Sequence, residues 1–221
     1  MEILECIKTR HSVRAFTSKR IPKGVMKKIL QTASNCPSYT NTQPWEVVVV
    51  SGKKRDALKE MLLNLAQAKV PAKSDIPKPK GWPAGLDERA REHGARRLST
   101  LGIARDDTAG RERLSLMNLE FYGAPCAVFL FIDASLGEYS IYDVGLFTQN
   151  LILAAHSFDI ESCLQASLTD YAREIKKFLG IEESSKKLVI CLSMGYADSK
   201  AILNAYKSTK QKPDAFTRWY D

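Results

Sequence analysis

The sequence predicts a mixed fold in which helices lie against buried strands around one core. Three observations point there. Residues 47–50 and 125–132 are apolar runs of strand length, and 187–194 reads as a further strand. Between them, apolar residues recur every three or four positions, the spacing of a helix with one buried face. The chain has 221 residues, 44% hydrophobic and 26% charged, which suits one sizeable core, or one core with a decorated insertion, and excludes disorder.

Composition also narrows the function. A formal charge of +8 suits acidic partners, either nucleic acid or phosphorylated cofactors. No stretch approaches ~18 uninterrupted apolar residues, so a membrane-spanning helix is not expected. The opening Met1-Glu2-Ile3-Leu4-Glu5 lacks the basic-then-apolar pattern of a signal peptide. Five scattered cysteines without a Cys-x-x-Cys pair argue against a disulfide framework or zinc site and fit the reducing cytoplasm.

In chain order, residues 2–8 place Ile3, Leu4 and Ile7 on one helical face. In the segment that follows, Arg10, Ser12 and Arg14 alternate with His11, Val13 and Ala15. Alternate residues of an extended chain share a face, so two guanidinium groups and a hydroxyl would point together, an arrangement suited to phosphate or carbonyl oxygens. A solvated basic edge is the plainer reading. Ile21-Pro22 leads into a helix over about 23–35, with Val25, Ile29, Leu30 and Ala33 as its buried stripe.

Pro37-Ser38-Tyr39-Thr40-Asn41-Thr42-Gln43-Pro44-Trp45 is a loop dense in hydroxyl and amide groups. Prolines near both ends restrict its backbone. Such a loop suits a planar, polar-edged ligand such as a flavin or a base; a polar connector is the alternative. The strand 45–51 follows, then a helix over about 54–69 carrying Leu58, Met61, Leu62 and Leu65.

From Val70 to Gly123 the composition shifts to prolines, Trp82 and a run of arginines that includes Arg89, Arg91, Arg96 and Arg97. This insertion reads as a lid or an excursion, helical with breaks over about 86–120. Beyond the strand 125–132, residues 140–158 form a long apolar helix interrupted by Asp143 and His156, the latter read as a satisfied core group. A short strand or loop over 160–167 ends in Leu164-Gln165-Ala166-Ser167. A helix over about 169–179 stops at Gly180, a C-cap. The arm 200–221 holds Lys207, Lys210 and Trp219 and wraps over something, a second subunit among the candidates.

Dinucleotide-binding glycine loops, Walker loops, zinc-protease motifs and serine-hydrolase elbows are all missing. A cofactor that brings its own reactivity is therefore favoured.

Four motifs stand in an order that resembles the nitroreductase family: Ile-x-x-Arg-His-Ser-Val-Arg-x-Phe, the loop Pro-Ser-x-x-Asn-x-Gln-Pro-Trp, an Asp-x-Gly before the long helix, and Gly-Tyr-x-Asp near the end. The resemblance runs from Met1 to about Trp219. It implies an α+β fold with a mostly antiparallel central sheet wrapped by helices, in an intertwined homodimer with FMN at the subunit interface. It implies that Arg10 and Ser12 hold the phosphate and ribityl chain, with His11 in the same motif and Arg14 near the pyrimidine edge. Pro37, Ser38, Tyr39 and Asn41 would meet the flavin from the other subunit, with Gln43 and Trp45 shaping the loop. Leu164, Gln165 and Ala166 match the segment whose backbone faces flavin N5, although the family often has proline, glutamate and glycine there. Lys207 and Lys210 stand closest to the family's C-terminal phosphate-binding arginine.

The implied activity is hydride transfer from NADH or NADPH through flavin N5 to a small aromatic acceptor, nitroaromatic or quinone-like, in a ping-pong cycle. The insertion would then be a lid or pocket wall offering Trp82, Phe121 and Tyr122 as stacking surfaces, with plain packing on the body as their alternative, and arginines that favour anionic substrates or the phosphates of NADPH. Neither nucleic acid, membrane nor metal is expected as a partner. The same scaffold also serves reductive dehalogenation and ene-type reduction, and a non-catalytic basic protein binding flavin or nucleic acid is the rival outside enzymes.

Overall fold

The computed structural model describes residues 2–220. Four strands form one antiparallel sheet in the order β1-β2-β4-β3: β1 (Glu46–Ser51), β2 (Cys126–Asp133), β3 (Glu161–Leu164) and β4 (Lys186–Gly195). The helices are α1 (Ile3–Thr9), α2 (Lys23–Ala33), α3 (Gly52–Gln67), α4 (Ala84–Thr100), α5 (Thr108–Leu119), α6 (Glu138–Ser157) and α7 (Ala172–Leu179).

The centre of the sheet explains why β2 lacks alternating polarity. Successive side chains of a strand point to opposite faces, and both faces of β2 are covered. Cys126, Val128, Leu130 and Ile132 pack with Ile29 and Ala33 of α2 and with Val144, Phe147 and Leu151 of α6. Ala127, Phe129 and Phe131 face the other way, onto Leu58 and Leu62 of α3 and Ile175 of α7. Fully burying one such phenylalanine stabilises the fold by about 1.5–3 kcal/mol.

Local chemistry sets several boundaries. Pro22 caps α2, which ends at Ala33, two residues short of expectation. Asp107 accepts a hydrogen bond from Gly110 N–H at 2.8 Å and starts α5. Gly180, at φ 74°, ends α7 in the left-handed conformation that glycine adopts without strain.

The structure corrects one expectation and decides two matters that the sequence left open. The Asp143-Val144-Gly145 motif lies inside α6 rather than before it. Phe121 is fully buried and meets Phe129 edge-on at 6.4 Å, so the packing alternative holds for it and not the stacking one. The apolar face of α1 does not enter the core: Ile3, Leu4 and Ile7 are exposed, and only Cys6 is buried.

The proline-rich start of the insertion is stitched to the body. Lys73 N–H bonds the Asp170 carbonyl at 2.8 Å and Ser74 Oγ bonds Asp170 Oδ1 at 3.0 Å. Lys176, almost wholly buried, directs its ammonium to Asp75 at 3.0 Å and to the carbonyls of Glu183 and Lys186. Among the described residues no helix is long and apolar enough to cross a membrane.

Candidate active site

The basic segment after α1 is placed by backbone contacts. Ser12 bridges Ser162 of β3 in the parallel sense, and Val13 N–H bonds the Ser162 carbonyl at 3.0 Å. Val13 is fully buried, so its neighbours Ser12 and Arg14 face the other way. Arg10 terminates α1, its N–H bonded to the Cys6 carbonyl, and His11 Nδ1 lies 3.2 Å from the Thr9 carbonyl.

Asn204 in the arm holds this strand from the side. Its Oδ1 accepts from the N–H groups of Arg14 at 2.7 Å and Ala15 at 3.1 Å, while its Nδ2 donates to the carbonyls of Ala15 and Asp198, each at 2.9 Å. The Arg14 guanidinium folds back to the Ser12 carbonyl at 3.2 Å.

At the end of β3, Leu164 and Ala166 are exposed and Gln165 between them is buried. The Gln165 amide donates to the Asn118 carbonyl at 2.7 Å and accepts from the Ser193 hydroxyl. Its own N–H bonds the Cys191 carbonyl at 2.8 Å. Gln165 thus fixes a segment whose two neighbours present themselves at the surface.

The insertion reaches the same place. In α4, His93 Nδ1 meets the Tyr206 hydroxyl at 2.9 Å, their rings edge-to-face. Burial, then the charges of Arg14, Arg97, Arg96 and Lys210, push His93 below the usual imidazole range. Four cations from three separate segments therefore act on one ring. Lys207 is exposed on the arm nearby in sequence.

The loop 37–43 is built elsewhere. Tyr39 N–H is held by the buried Asp143 carboxylate of α6, at 3.1 and 3.2 Å from its two oxygens. Ser38 Oγ accepts from Gln43 N–H at 2.9 Å, and Gln43 Nε2 donates to Asn41 Oδ1 at 3.3 Å. Thr40, Asn41 and Gln43 all adopt positive φ, between 49° and 56°. Trp45 stacks on Phe147 at 4.8 Å. Pro37, Ser38 and Tyr39 line an open cleft of about 570 Å³ with Tyr139, Tyr142 and Leu146.

One protomer does not bring these halves together. The loop is anchored at Asp143, near the start of α6. The other half is tied near its end, where His156 Nε2 meets Thr9 Oγ1 and Nδ1 meets Glu161 Oε1, both at 2.8 Å. The thirteen-position separation of the anchors corresponds to about 20 Å along the helix.

The model of the nitroreductase family matches residues 7–196. The chain belongs to the nitroreductase family. It is 38% identical to nitroreductase NfnB of Mycolicibacterium smegmatis over 96% of this chain and 90% of the relative. It is 33% identical to a 4-nitrobenzoate reductase of Pseudomonas putida, over 96% and 93% of the two chains. The crystal structure of FMN-dependent NfnB from Mycobacterium smegmatis in complex with NADPH superposes with a TM-score of 0.94 at 36% identity, covering 99% of this chain and 97% of that one. The expected α+β fold with an antiparallel sheet is thus the observed one.

The residues present fit a ligand like FMN. The cationic groups around Arg14 have no carboxylate within salt-bridge distance except Glu92, which faces Arg96, among the described residues. Arg97 Nη2 is buried without a hydrogen-bond partner. Sequence reading missed Asn204, the clamp role of Asp143 and the approach of Arg97. Only Asp143 carried a signal, an acid set in an apolar helix.

Proposed function

We propose that this protein is an FMN-dependent oxidoreductase that uses NADH or NADPH to reduce nitroaromatic or quinone-like acceptors. The observation that carries the reading is the Asn204-clamped strand 10–15, laid beside β3 in a chain of this family. When bound, FMN supplies hydride acceptance at N5 and delivery of electrons to the acceptor.

The chain's own residues bind and orient. Arg10, His11 and Ser12 hold the phosphate and ribityl chain, and Lys207 and Lys210 add positive charge from the arm. Arg14 places a fixed cation at the pyrimidine edge, where it stabilises developing negative charge. Leu164 and Ala166 flank the flavin ring, and the Ala166 N–H is the donor for N5, because Gln165 directs its own to Cys191.

The separation of the two halves supports a homodimer. Pro37, Ser38, Tyr39 and Asn41 of one copy close over the flavin held by the strand 10–14 of the other, with α6 between them. Exposed Tyr139 and Tyr142 on α6, Ile3 and Leu4 on α1, and Trp219 on the arm are the apolar surfaces such a dimer would cover. Residues 84–119 form a lid or pocket wall, joined to the arm by the His93–Tyr206 contact, while residues 73–78 are tied to the body. The buried thiols suit the cytoplasm.

The test is anaerobic. Purified protein should be yellow, bleach on adding NADH or NADPH, and recolour on adding a nitroaromatic or quinone. Colourless protein that FMN does not reconstitute would defeat the reading.

A further inference from the structure

The Arg97 guanidinium hydrogen-bonds the Tyr122 hydroxyl, yet one of its nitrogens, Nη2, has no hydrogen-bond partner. Arg97 comes from the lid helix α4, yet its guanidinium lies against the hydroxyl of buried Tyr122, and its charge acts on Tyr122, Cys163 and His93 together with that of Arg14. These groups belong to β3, to the turn before β2 and to α4. Arg97 Nη2 is sealed from solvent and makes no hydrogen bond.

The neighbours do not neutralise it. Burial first of all raises the Tyr122 and Cys163 side chains above their usual ranges, so both stay uncharged at neutral pH. His93 is neutral too and is engaged with Tyr206. Arg96 has Glu92 at 3.6 Å, whereas Arg97, Arg14 and Lys210 have no acidic partner among the described residues. An unpaired buried donor is costly, and adjacent guanidinium groups repel. Oxygen atoms carrying negative charge relieve both.

We infer that Arg97 reaches from α4 to the same pyrimidine edge of the flavin as Arg14, so that the insertion supplies a cofactor-binding residue and is a wall of the FMN site. This rests on the flavoprotein reading above. The flavin pyrimidine is the occupant of choice because its carbonyl oxygens and, on reduction, the charge over N1 and O2 match a second fork beside Arg14. The 2′-phosphate of NADPH stands a whole dinucleotide away from the nicotinamide and suits the solvent-facing arginines of α4, such as Arg89 and Arg91, better than a sealed nitrogen.

The experiment compares flavin binding by apo-protein with the flavin midpoint potential in wild type, Arg97→Met, Arg97→Lys and the exposed-lid control Arg89→Met. Arg97→Met should weaken FMN and riboflavin alike, each by about tenfold or more, the scale of a lost charged hydrogen bond. It should also lower the midpoint potential, with Arg97→Lys recovering part of that shift and Arg89→Met matching wild type. Equal melting temperatures of the apo-proteins exclude a folding defect. Unchanged binding of both flavins would overturn the inference. A loss confined to FMN would overturn it too, by placing Arg97 on the phosphate. Wild-type protein that binds neither flavin would instead remove the flavoprotein reading on which it rests.

Discussion

The side-chain oxygen of Asn204 lies 2.7 Å from the backbone nitrogen of Arg14, and the same amide closes on Ala15 and Asp198. One arm residue therefore sets the backbone of the strand that carries Ser12 and Arg14. Asn204→Ala should leave partly buried backbone groups unpaired, at about 1–3 kcal/mol. A lower melting temperature and weaker FMN binding are expected. A variant with wild-type affinity would show that the strand holds its shape without the arm.

Lys176 and Asp75 offer a sharper stability test. The Lys176 side chain is 2% exposed and that of Asp75 21%, so removing the carboxylate strands a buried ammonium. Asp75→Ala should lose about 3 kcal/mol in denaturant unfolding. Because the pair itself contributes little net stability, Lys176→Met/Asp75→Leu should be milder than Asp75→Ala. A double variant as unstable as the sum of its singles would contradict this.

Asp143 anchors the loop through the Tyr39 N–H. Asp143→Ala should speed amide hydrogen exchange across residues 38–43 and weaken FMN binding, while the sheet stays protected. Exchange confined to α6 would place the defect in the helix instead.

The exposed ring of Tyr142 tests the assembly. It lies on the face of α6 away from the core and lines the cleft beside Tyr39. Tyr142→Arg should shift the protein toward monomer in light scattering and lower FMN affinity with it, because the proposed homodimer draws half of each site from the second copy.

The buried thiols make alkaline stability predictable. Burial pushes Cys126 up to about 12 from the ordinary value of 9.0, and raises Cys163 and Cys191 as well. Their neutral forms are favoured in the fold, so this contribution is fully present below pH about 9 and is lost as pH rises toward 12. Melting temperature should fall over that range, less steeply in Cys126→Ala. Native protein should react slowly with iodoacetamide.

Much of the fold was legible in local pattern. The apolar run 126–132 could only be a strand with both faces covered, and α7 had to stop where Gly180 takes positive φ. The segment 10–14 and the loop 37–45 were visible as chemistry because of what they contain. The exposure of Ile3, Leu4 and Ile7 was not visible, since periodicity shows that a helix has an apolar face but not what covers it.

The sequence by itself determined the elements, the family and the donors available for an anionic, planar ligand. Tertiary structure alone decided which donors meet. Asn204 is 190 residues from Arg14, and Asp143 is 104 from Tyr39. Secondary structure arises from interactions within a few residues, whereas these contacts arise from how the sheet and its helices fold back. No periodicity encodes such an approach, and so the joint action of Arg97 and Arg14 on His93, Tyr122 and Cys163 emerges only once α4 is laid against the arm.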